Sequence, residues 1–261
     1  MRNVYGMMWK EILIVGFGVV GKAVHDGIKG SHLCDIMDPP LGWYNDDYTK
    51  YDGIILCVPT PETDDGQCDV SLVKKYLGDI RRVSKTVPIL LKSTTTIDAI
   101  PDDDYLTVNP EFLTEANSSK DFKNQKFAFF GGDPELSDMW YNVITKGDVT
   151  IDKVMFTTRK NAMLAKYVIN TFLATKISYF NDLYNMIGSD FDEVVRLASQ
   201  DERLGNSHMQ VPGPDGKLGF GGMCFPKDTK AFIAYANDNG KSLPVLEAAV
   251  ECNKNQRMKK L

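Results

Sequence analysis

Short apolar runs alternate with amphipathic stretches through the first half of the chain. Ile12–Val15, Leu33–Met37, Gly53–Val58, Val87–Leu91, Tyr105–Val108 and Phe127–Phe130 read as strands. Several are apolar without interruption, as strands covered on both faces are. Helical spacing fills the gaps at Val19–Lys29, Val70–Ser84 and Pro134–Lys146. That rhythm predicts an α/β fold: an N-terminal, Rossmann-like, mostly parallel sheet with right-handed crossovers.

The pattern changes near residue 158. Arg159–Ile187 contains neither Gly nor Pro and carries an apolar stripe through Ala162, Ala165, Ile169, Phe172, Leu173, Ile177, Phe180 and Tyr184. Such a helix is ~44 Å long at about 1.5 Å per residue. Gly188 ends it, and Asp192 and Glu193 fill the first turn of a next helix, Asp190–Leu204. A Gly/Pro-rich loop, Gly205–Gly222, leads to helices at Pro226–Asn239 and Pro244–Met258, each opened by proline. The expected organisation is therefore 1–157 as the sheet domain and 158–261 as an all-helical domain with one long central helix.

Composition narrows the class. The chain has 261 residues, 43% hydrophobic and 25% charged, with a net charge of −5. It is large enough to bury a core without disulfides, and its acidity argues against nucleic acid as a partner. Five cysteines without a CxxC pair point to reduced thiols and a cytoplasmic location. Three histidines and no HExxH give no basis for a metal site. The apolar stretch Ile12–Val20 is too short to span a membrane.

Gly16-Phe17-Gly18-Val19-Val20-Gly21 matches GxGxxG between a predicted strand and a predicted helix. In that context Gly16 permits the tight turn, Gly18 admits a pyrophosphate, and Gly21 lets helix and strand pack closely. The helix N-terminus favours the phosphates. Asp38 ends the second strand, placed to accept from a ribose 2′-OH, so NAD is expected over NADP. Cys57-Val58-Pro59-Thr60-Pro61 and Lys92-Ser93-Thr94 end two further strands, on the side where such sheets bind ligands; a rigid turn forced by the two prolines also fits the first.

The stretch Gly219-Phe220-Gly221-Gly222-Met223-Cys224-Phe225-Pro226-Lys227-Asp228 carries candidate chemistry. Cys224 precedes a helix start and a lysine, surroundings that favour a thiolate nucleophile. Asp228 follows one turn later and is placed to hold or deprotonate a water. Lys166 and Asn170 share one helix face at i,i+4, a pair able to steady an oxyanion, although a solvated lysine and an indifferent amide also fit the spacing. Asn109–Glu115 follows a strand end with two carboxylates, Glu111 and Glu115; a charged loop fits it equally well.

Together, CVPTP, KST, NPEFLTEA, AKYVINTFLATKIS, ERLG, GFGGMCFPKD and LPVLEAAVECNKNQ run in one order from Ile12 to about Gln256. With the glycine fingerprint they resemble the UDP-glucose/GDP-mannose dehydrogenase family, nearest its UDP-glucose 6-dehydrogenase branch. The resemblance implies oxidation of the C6 alcohol of a nucleotide sugar, UDP-glucose to UDP-glucuronate, using two NAD+ per turnover. Cys224 would pass through a thiohemiacetal and a thioester. Lys166 and Asn170 would stabilise negative charge on oxygen, Glu111 would do acid–base work, and Asp228 with Thr94 would position water. Glu115, Thr60 and Thr94 would line the nicotinamide side. Phe112, Leu113, Arg203, Gly219, Phe220 and Gly221 would contact the sugar nucleotide, Arg203 across a subunit boundary.

Met223 and Thr114 depart from the family's usual residues without removing a catalytic group. Full members carry a third, UDP-binding domain after the helical one, and the expectation is a short form without it: a short enzyme, a chain completed by a partner, or a fragment. A homodimer through the helical domain is expected. Two alternatives stand beside this reading. A 3-hydroxyacid-type NAD dehydrogenase shares the two-domain plan and the Lys/Asn pair but has no need of Cys224. A non-catalytic NAD-binding assembly subunit needs none of the reacting groups.

Overall fold

The computed structural model describes residues 10–45, 47–63 and 66–259, apart from the side chain of Glu115. In chain order the elements are β1 (Glu11–Val15), α1 (Val19–Ile28), β2 (Leu33–Met37), β3 (Gly53–Leu56), α2 (Ser71–Val83), β4 (Ile89–Leu91), β5 (Leu106–Val108), α3 (Ser118–Lys123) and β6 (Asn124–Gln125). There follow β7 (Ala128–Gly131), α4 (Pro134–Thr145), β8 (Thr150–Ile151), β9 (Val154–Thr157), α5 (Arg159–Ile187), α6 (Phe191–Ala198), α7 (Phe225–Asp238) and α8 (Pro244–Arg257).

The described residues form two compact units. One holds the chain up to Thr60 together with Asp69–Lys166; the other holds Pro61–Cys68 and the chain from Tyr167 onward.

The first unit is built on a seven-stranded sheet of order β2-β1-β3-β4-β5-β7-β9. All neighbours are parallel except β5 and β7. The continuous apolar runs have the expected cause: Ile12–Val15, Ile54–Leu56 and Ile89–Leu91 are all 0% exposed. Burying one such side chain is worth about 1.5–3 kcal/mol. Val24 and Ile28 of α1, Phe122 of α3 and Trp140 and Val143 of α4 join Ile12, Ile14 and Ile55 in one core cluster. From β1 the chain proceeds to β2 on one side and reaches β3 on the other, so the connections diverge at the carboxyl ends of β1 and β3. Open sheets of this kind bind ligands at that switch point.

Four features depart from the expectation. β9 forms a seventh strand on the sheet edge, and α3 and the small β6/β8 pair are further additions. The predicted helix Asp190–Leu204 is two pieces, α6 and a 3-10 turn at Glu202–Leu204. Asp201 causes the break: its carboxylate accepts from the backbone N–H of Arg203 at 3.0 Å and starts a new turn.

The second unit is helical. Phe180 and Phe191 pack with Met209, Val211 and Leu218 of the long loop. Tyr167 stacks on Phe232 at 5.4 Å, and the Ser178 hydroxyl donates to the Ala249 carbonyl at 2.9 Å, tying α5 to α7 and α8. Pro61–Cys68 is held by an antiparallel bridge between Glu62 and Cys68 and by a 2.5 Å ion pair from Glu62 to Lys230 of α7. Along α5, Val168, Phe172, Tyr179 and Met186 stay exposed, Phe172 to 64% and Met186 to 74%.

Candidate active site

In the first unit the glycine turn follows β1. Gly16 takes φ +89°, and its N–H donates to the Met37 carbonyl at 2.9 Å. A methyl there would meet the Cys57 carbonyl at 2.8 Å, so only glycine fits. A methyl at Gly21 would run into the carbonyl oxygen of Gly16. Gly18 caps α1 without a side-chain hydrogen bond, and a Cβ there would meet nothing within 4 Å. That room at the start of α1 is what a pyrophosphate requires. Val19 is exposed, and Val20 packs against the core.

Asp38 accepts the N–H of Phe17 at 2.6 Å. Its backbone is pinned by reciprocal hydrogen bonds with Trp43 at 2.9 and 3.1 Å, and the Phe17 ring lies edge-on to Trp43 at 5.5 Å. The cradle, the open helix end and the fixed carboxylate fit NAD.

The loops after β3 and β4 are tied together. Thr60 donates to the Thr94 carbonyl at 2.6 Å, and Ser93 donates to the Val58 carbonyl at 2.7 Å. Pro59 between them is exposed. Cys57 beneath them is buried, and burial pushes its thiol up to about 12, so it stays protonated and inert.

Glu111, Phe112, Leu113 and Lys166 come together in the same unit. Lys166 is 7% exposed, which removes the reading of a solvated lysine. Its ammonium donates to the Glu111 carbonyl oxygen and lies 4.8 Å from the Phe112 ring centroid. Phe112 packs on Phe127 and Phe129, and Leu113 on the core cluster. Glu111 is 9% exposed, with Lys92 2.8 Å from its Oε2. The Glu115 side chain lies outside the described residues.

In the second unit Cys224 is exposed and occupies the N-cap position of α7. Asp228, 1% exposed, sits one turn on, its N–H donating to the Cys224 carbonyl at 2.8 Å. Asn170 donates to one Asp228 carboxylate oxygen and Lys227 to the other, each at 2.6 Å. Lys227 also lies 4.0 Å from the Cys68 sulfur. Burial pulls the Lys227 ammonium down; Asp228 and the neighbouring thiols outweigh it and leave its pKa raised. Both Asp228 oxygens are thus engaged, and the buried carboxylate is held one helical turn after Cys224.

The Gly219–Gly221 loop is bracketed from α5 and α8. Asn181 accepts the Gly219 N–H at 2.8 Å, and Asn253 accepts the Phe220 N–H at 2.6 Å while donating back to its carbonyl at 3.0 Å. Arg203 is exposed, its guanidinium paired with Asp201.

Asn109, Asn181 and Asn253 have no site role in the sequence analysis, and Lys92 is placed there only with Ser93 and Thr94 at the crevice end of a strand, without a partner. Lys92 left one signal, a charged residue closing an otherwise apolar strand. The asparagines left none, because their partners are distant backbone groups.

Two family models match the chain. Residues 43–144 match the NAD binding domain of the UDP-glucose/GDP-mannose dehydrogenase family, and residues 160–255 match its central domain. The UDP-glucose 6-dehydrogenase AglM of Haloferax volcanii is 32% identical, over 81% of this chain and 54% of the relative. TuaD of Bacillus subtilis, a UDP-glucose 6-dehydrogenase, is 30% identical, over 86% of this chain and 51% of the relative. The chain thus spans about half the length of the curated relatives it matches.

Among solved structures, a UDP-glucose dehydrogenase from Pyrobaculum islandicum superposes with a TM-score of 0.82 at 23% identity, covering 96% of this chain and 69% of the other. A 3-hydroxyisobutyrate dehydrogenase from Mycobacterium tuberculosis superposes with a TM-score of 0.73 at 16% identity, covering 95% and 94%. These two likenesses speak to the fold alone. With both domain models matched in order along its length, the chain belongs to the UDP-glucose/GDP-mannose dehydrogenase family and contains that family's NAD-binding and central domains.

Proposed function

We propose that the protein oxidises the C6 alcohol of a nucleotide sugar, UDP-glucose to UDP-glucuronate, with Cys224 as the covalent nucleophile. The observation that carries this reading is the group at the head of α7: an exposed thiol one turn before a buried carboxylate held by Asn170 and Lys227. An inert structural cysteine has no need of such neighbours.

The chain's own residues divide the work. After the first oxidation, the Cys224 sulfur bonds to the aldehyde carbon and a proton goes to the oxygen, giving a thiohemiacetal. Oxidation of that adduct leaves a thioester. Water then breaks the C–S bond, releasing the carboxylate and restoring the thiol. Lys166 and Asn170 steady the negative oxygen in each addition. Glu111 handles protons, and Asp228 with Thr94 orients the water. Gly16, Phe17, Gly18, Val19, Val20, Gly21 and Asp38 hold the adenosine and pyrophosphate, and Val58, Pro59, Thr60, Ser93, Thr94 and Glu115 the nicotinamide side. NAD supplies the hydride acceptor for both oxidations. Phe112, Leu113, Arg203 and Gly219–Gly221 take the sugar nucleotide. A second copy of the chain covers the exposed α5 stripe. No described helix is long and apolar enough to cross a membrane, and a cytoplasmic location is part of the proposal.

One observation favours a second reading: the fold matches nearly all of a 3-hydroxyisobutyrate dehydrogenase chain. Stoichiometry separates the two. Purified protein with NAD+ and a panel of nucleotide sugars is expected to form two NADH per UDP-glucose consumed, and Cys224→Ser to form no uronate. One NADH per substrate with a tolerated Cys224→Ala supports the second reading. NAD binding without NADH on any substrate supports a non-catalytic subunit.

A further inference from the structure

Cys224, Lys227 and Lys230 share one face of α7 at three-residue spacing. Cys224 keeps helical backbone angles at the N-cap, φ −95° and ψ −55°, so that face begins with its thiol. The excursion Pro61–Cys68, part of the same compact unit, follows the face toward the helix start. Glu62 pairs with Lys230 at 2.5 Å, and a methyl at Gly66 would meet the Lys230 stem at 3.3 Å. One turn nearer the N-terminus, the Cys68 sulfur lies 4.0 Å from the Lys227 ammonium. Helical side chains lean toward the N-terminus, which directs that ammonium over the turn that Cys224 opens.

Cys68 is 5% exposed and closes its segment through the bridge to Glu62. Packing alone does not call for a cation at its sulfur. Both sulfurs act on Lys227: burial lowers its pKa, and Asp228, Cys68 and Cys224 raise it. The other cysteine of this unit, Cys252, is engaged elsewhere. Its sulfur lies 3.1 Å from an Asp182 carboxylate oxygen, and burial, then Asp182, push its thiol up to about 11. Cys34 and Cys57 belong to the first unit. An exposed thiol and a buried one thus meet at a single ammonium.

We infer that Cys68 is a resolving thiol for Cys224: a hydroperoxide oxidises Cys224, and Cys68 then closes a disulfide that switches the site off reversibly. The switching rests on the reading of Cys224 as nucleophile. In the first step the Cys224 sulfur attacks the peroxide. An S–O bond forms, the O–O bond breaks, and the thiol proton leaves with the departing alcohol or water, giving a sulfenic acid. In the second the Cys68 sulfur attacks the sulfenic sulfur. An S–S bond forms, the S–O bond breaks, and the Cys68 proton leaves with the hydroxyl as water. The Lys227 ammonium steadies negative charge on the attacking Cys68 sulfur. An external dithiol restores both thiols and is itself oxidised to a disulfide. Without Cys68, further peroxide carries the sulfenic acid to the sulfinic acid, which a dithiol does not reduce.

The test treats the full chain with hydrogen peroxide, blocks the remaining thiols, digests it without reductant and reads joined peptides by tandem mass spectrometry. A Cys68–Cys224 pair that dithiothreitol splits is expected. NADH formation with UDP-glucose should be lost on oxidation and regained on reduction. Cys68→Ser should keep its basal turnover, lose it to peroxide and not regain it, with two oxygens added to the Cys224 peptide. A native protein that yields no such pair, or joins Cys224 to a different cysteine, overturns the inference. Recovery of oxidised Cys68→Ser by dithiothreitol overturns it as well. If Cys68→Ser does not fold, the native peptide map decides. A Cys68–Cys224 bond that leaves turnover intact would instead defeat the reading of Cys224 as nucleophile while the disulfide stands, so the two failures are distinct.

Discussion

The Asn170 amide on α5 donates to one oxygen of Asp228 on α7 at 2.6 Å, while Lys227 occupies the other oxygen at the same distance. The raised Lys227 pKa means that this pairing stabilises the fold fully below the ordinary lysine value of about 10.4 and is lost only as pH rises through the higher folded value. Asp228→Asn leaves a buried, unneutralised ammonium and is expected to lose about 3–5 kcal/mol at neutral pH. The double variant Asp228→Asn/Lys227→Met removes the charge and should regain most of that loss. Denaturant unfolding of the three proteins checks it; a double variant no more stable than the single one contradicts the pairing.

The glycines of the turn are expected to separate folding from ligand binding. Gly21→Ala drives a methyl into the Gly16 carbonyl and should destabilise the chain by about 1–3 kcal/mol, as overpacking does. Gly18→Ala adds a methyl to open space and should unfold within about 0.5 kcal/mol of the native chain. It should nonetheless weaken NAD binding, because the methyl takes the room the pyrophosphate needs. Thermal melts paired with NAD titration calorimetry read both effects; unchanged NAD affinity in Gly18→Ala would refute the placement of the phosphates.

His32 is 3% exposed, accepts the Lys10 N–H on Nδ1 at 3.4 Å and meets the Val143 carbonyl with Nε2 at 3.0 Å. Those partners define a neutral ring with its proton on Nε2. Burial, and then Lys146 and Lys10, lower its pKa against the opposing Val143 bond. The folded state therefore binds that proton less readily than the unfolded chain. The resulting stability is present above the ordinary histidine value of about 6.5 and is lost as pH falls through the folded value. Urea melts from pH 8 to pH 5 should show His32→Gln less stable at the top of the range, with the gap narrowing below. A constant gap would exclude His32 as the group responsible.

The exposed stripe Val168, Phe172, Tyr179 and Met186 gives the proposed dimer a specific test. Phe172→Glu/Met186→Glu places two charges on side chains that are 64% and 74% exposed in one chain. The single chain's fold should tolerate them, and sedimentation should move from dimer to monomer. A native protein that sediments as a monomer removes this part of the proposal.

Much of the sheet was legible because continuous apolar runs have few alternatives: five of the expected strands became β1 to β5, and the sixth became β7. β9 escaped because Val154–Thr157 is an edge strand with two exposed members, Met155 and Phe156. α3 is six residues, too short for a helical period to show. α5 has the ends that the sequence predicts, since nothing in Arg159–Ile187 interrupts a helix. Among the candidate groups, the i,i+4 spacing put Lys166 and Asn170 on one helix face. It did not reveal that one grips a backbone carbonyl and the other a carboxylate. Such partners lie 55 and 58 residues away in sequence. Spacing along a single helix carries no information about them.

The eight-residue excursion at Pro61–Cys68 makes the helical unit discontinuous in sequence. A polypeptide started at Tyr167 would carry α7 without Glu62 opposite Lys230 and without the sulfur beside Lys227. No single cut separates the two units cleanly, because the backbone passes between them three times. Gene-level dissection of this protein therefore calls for a graft of residues 61–68 rather than a truncation.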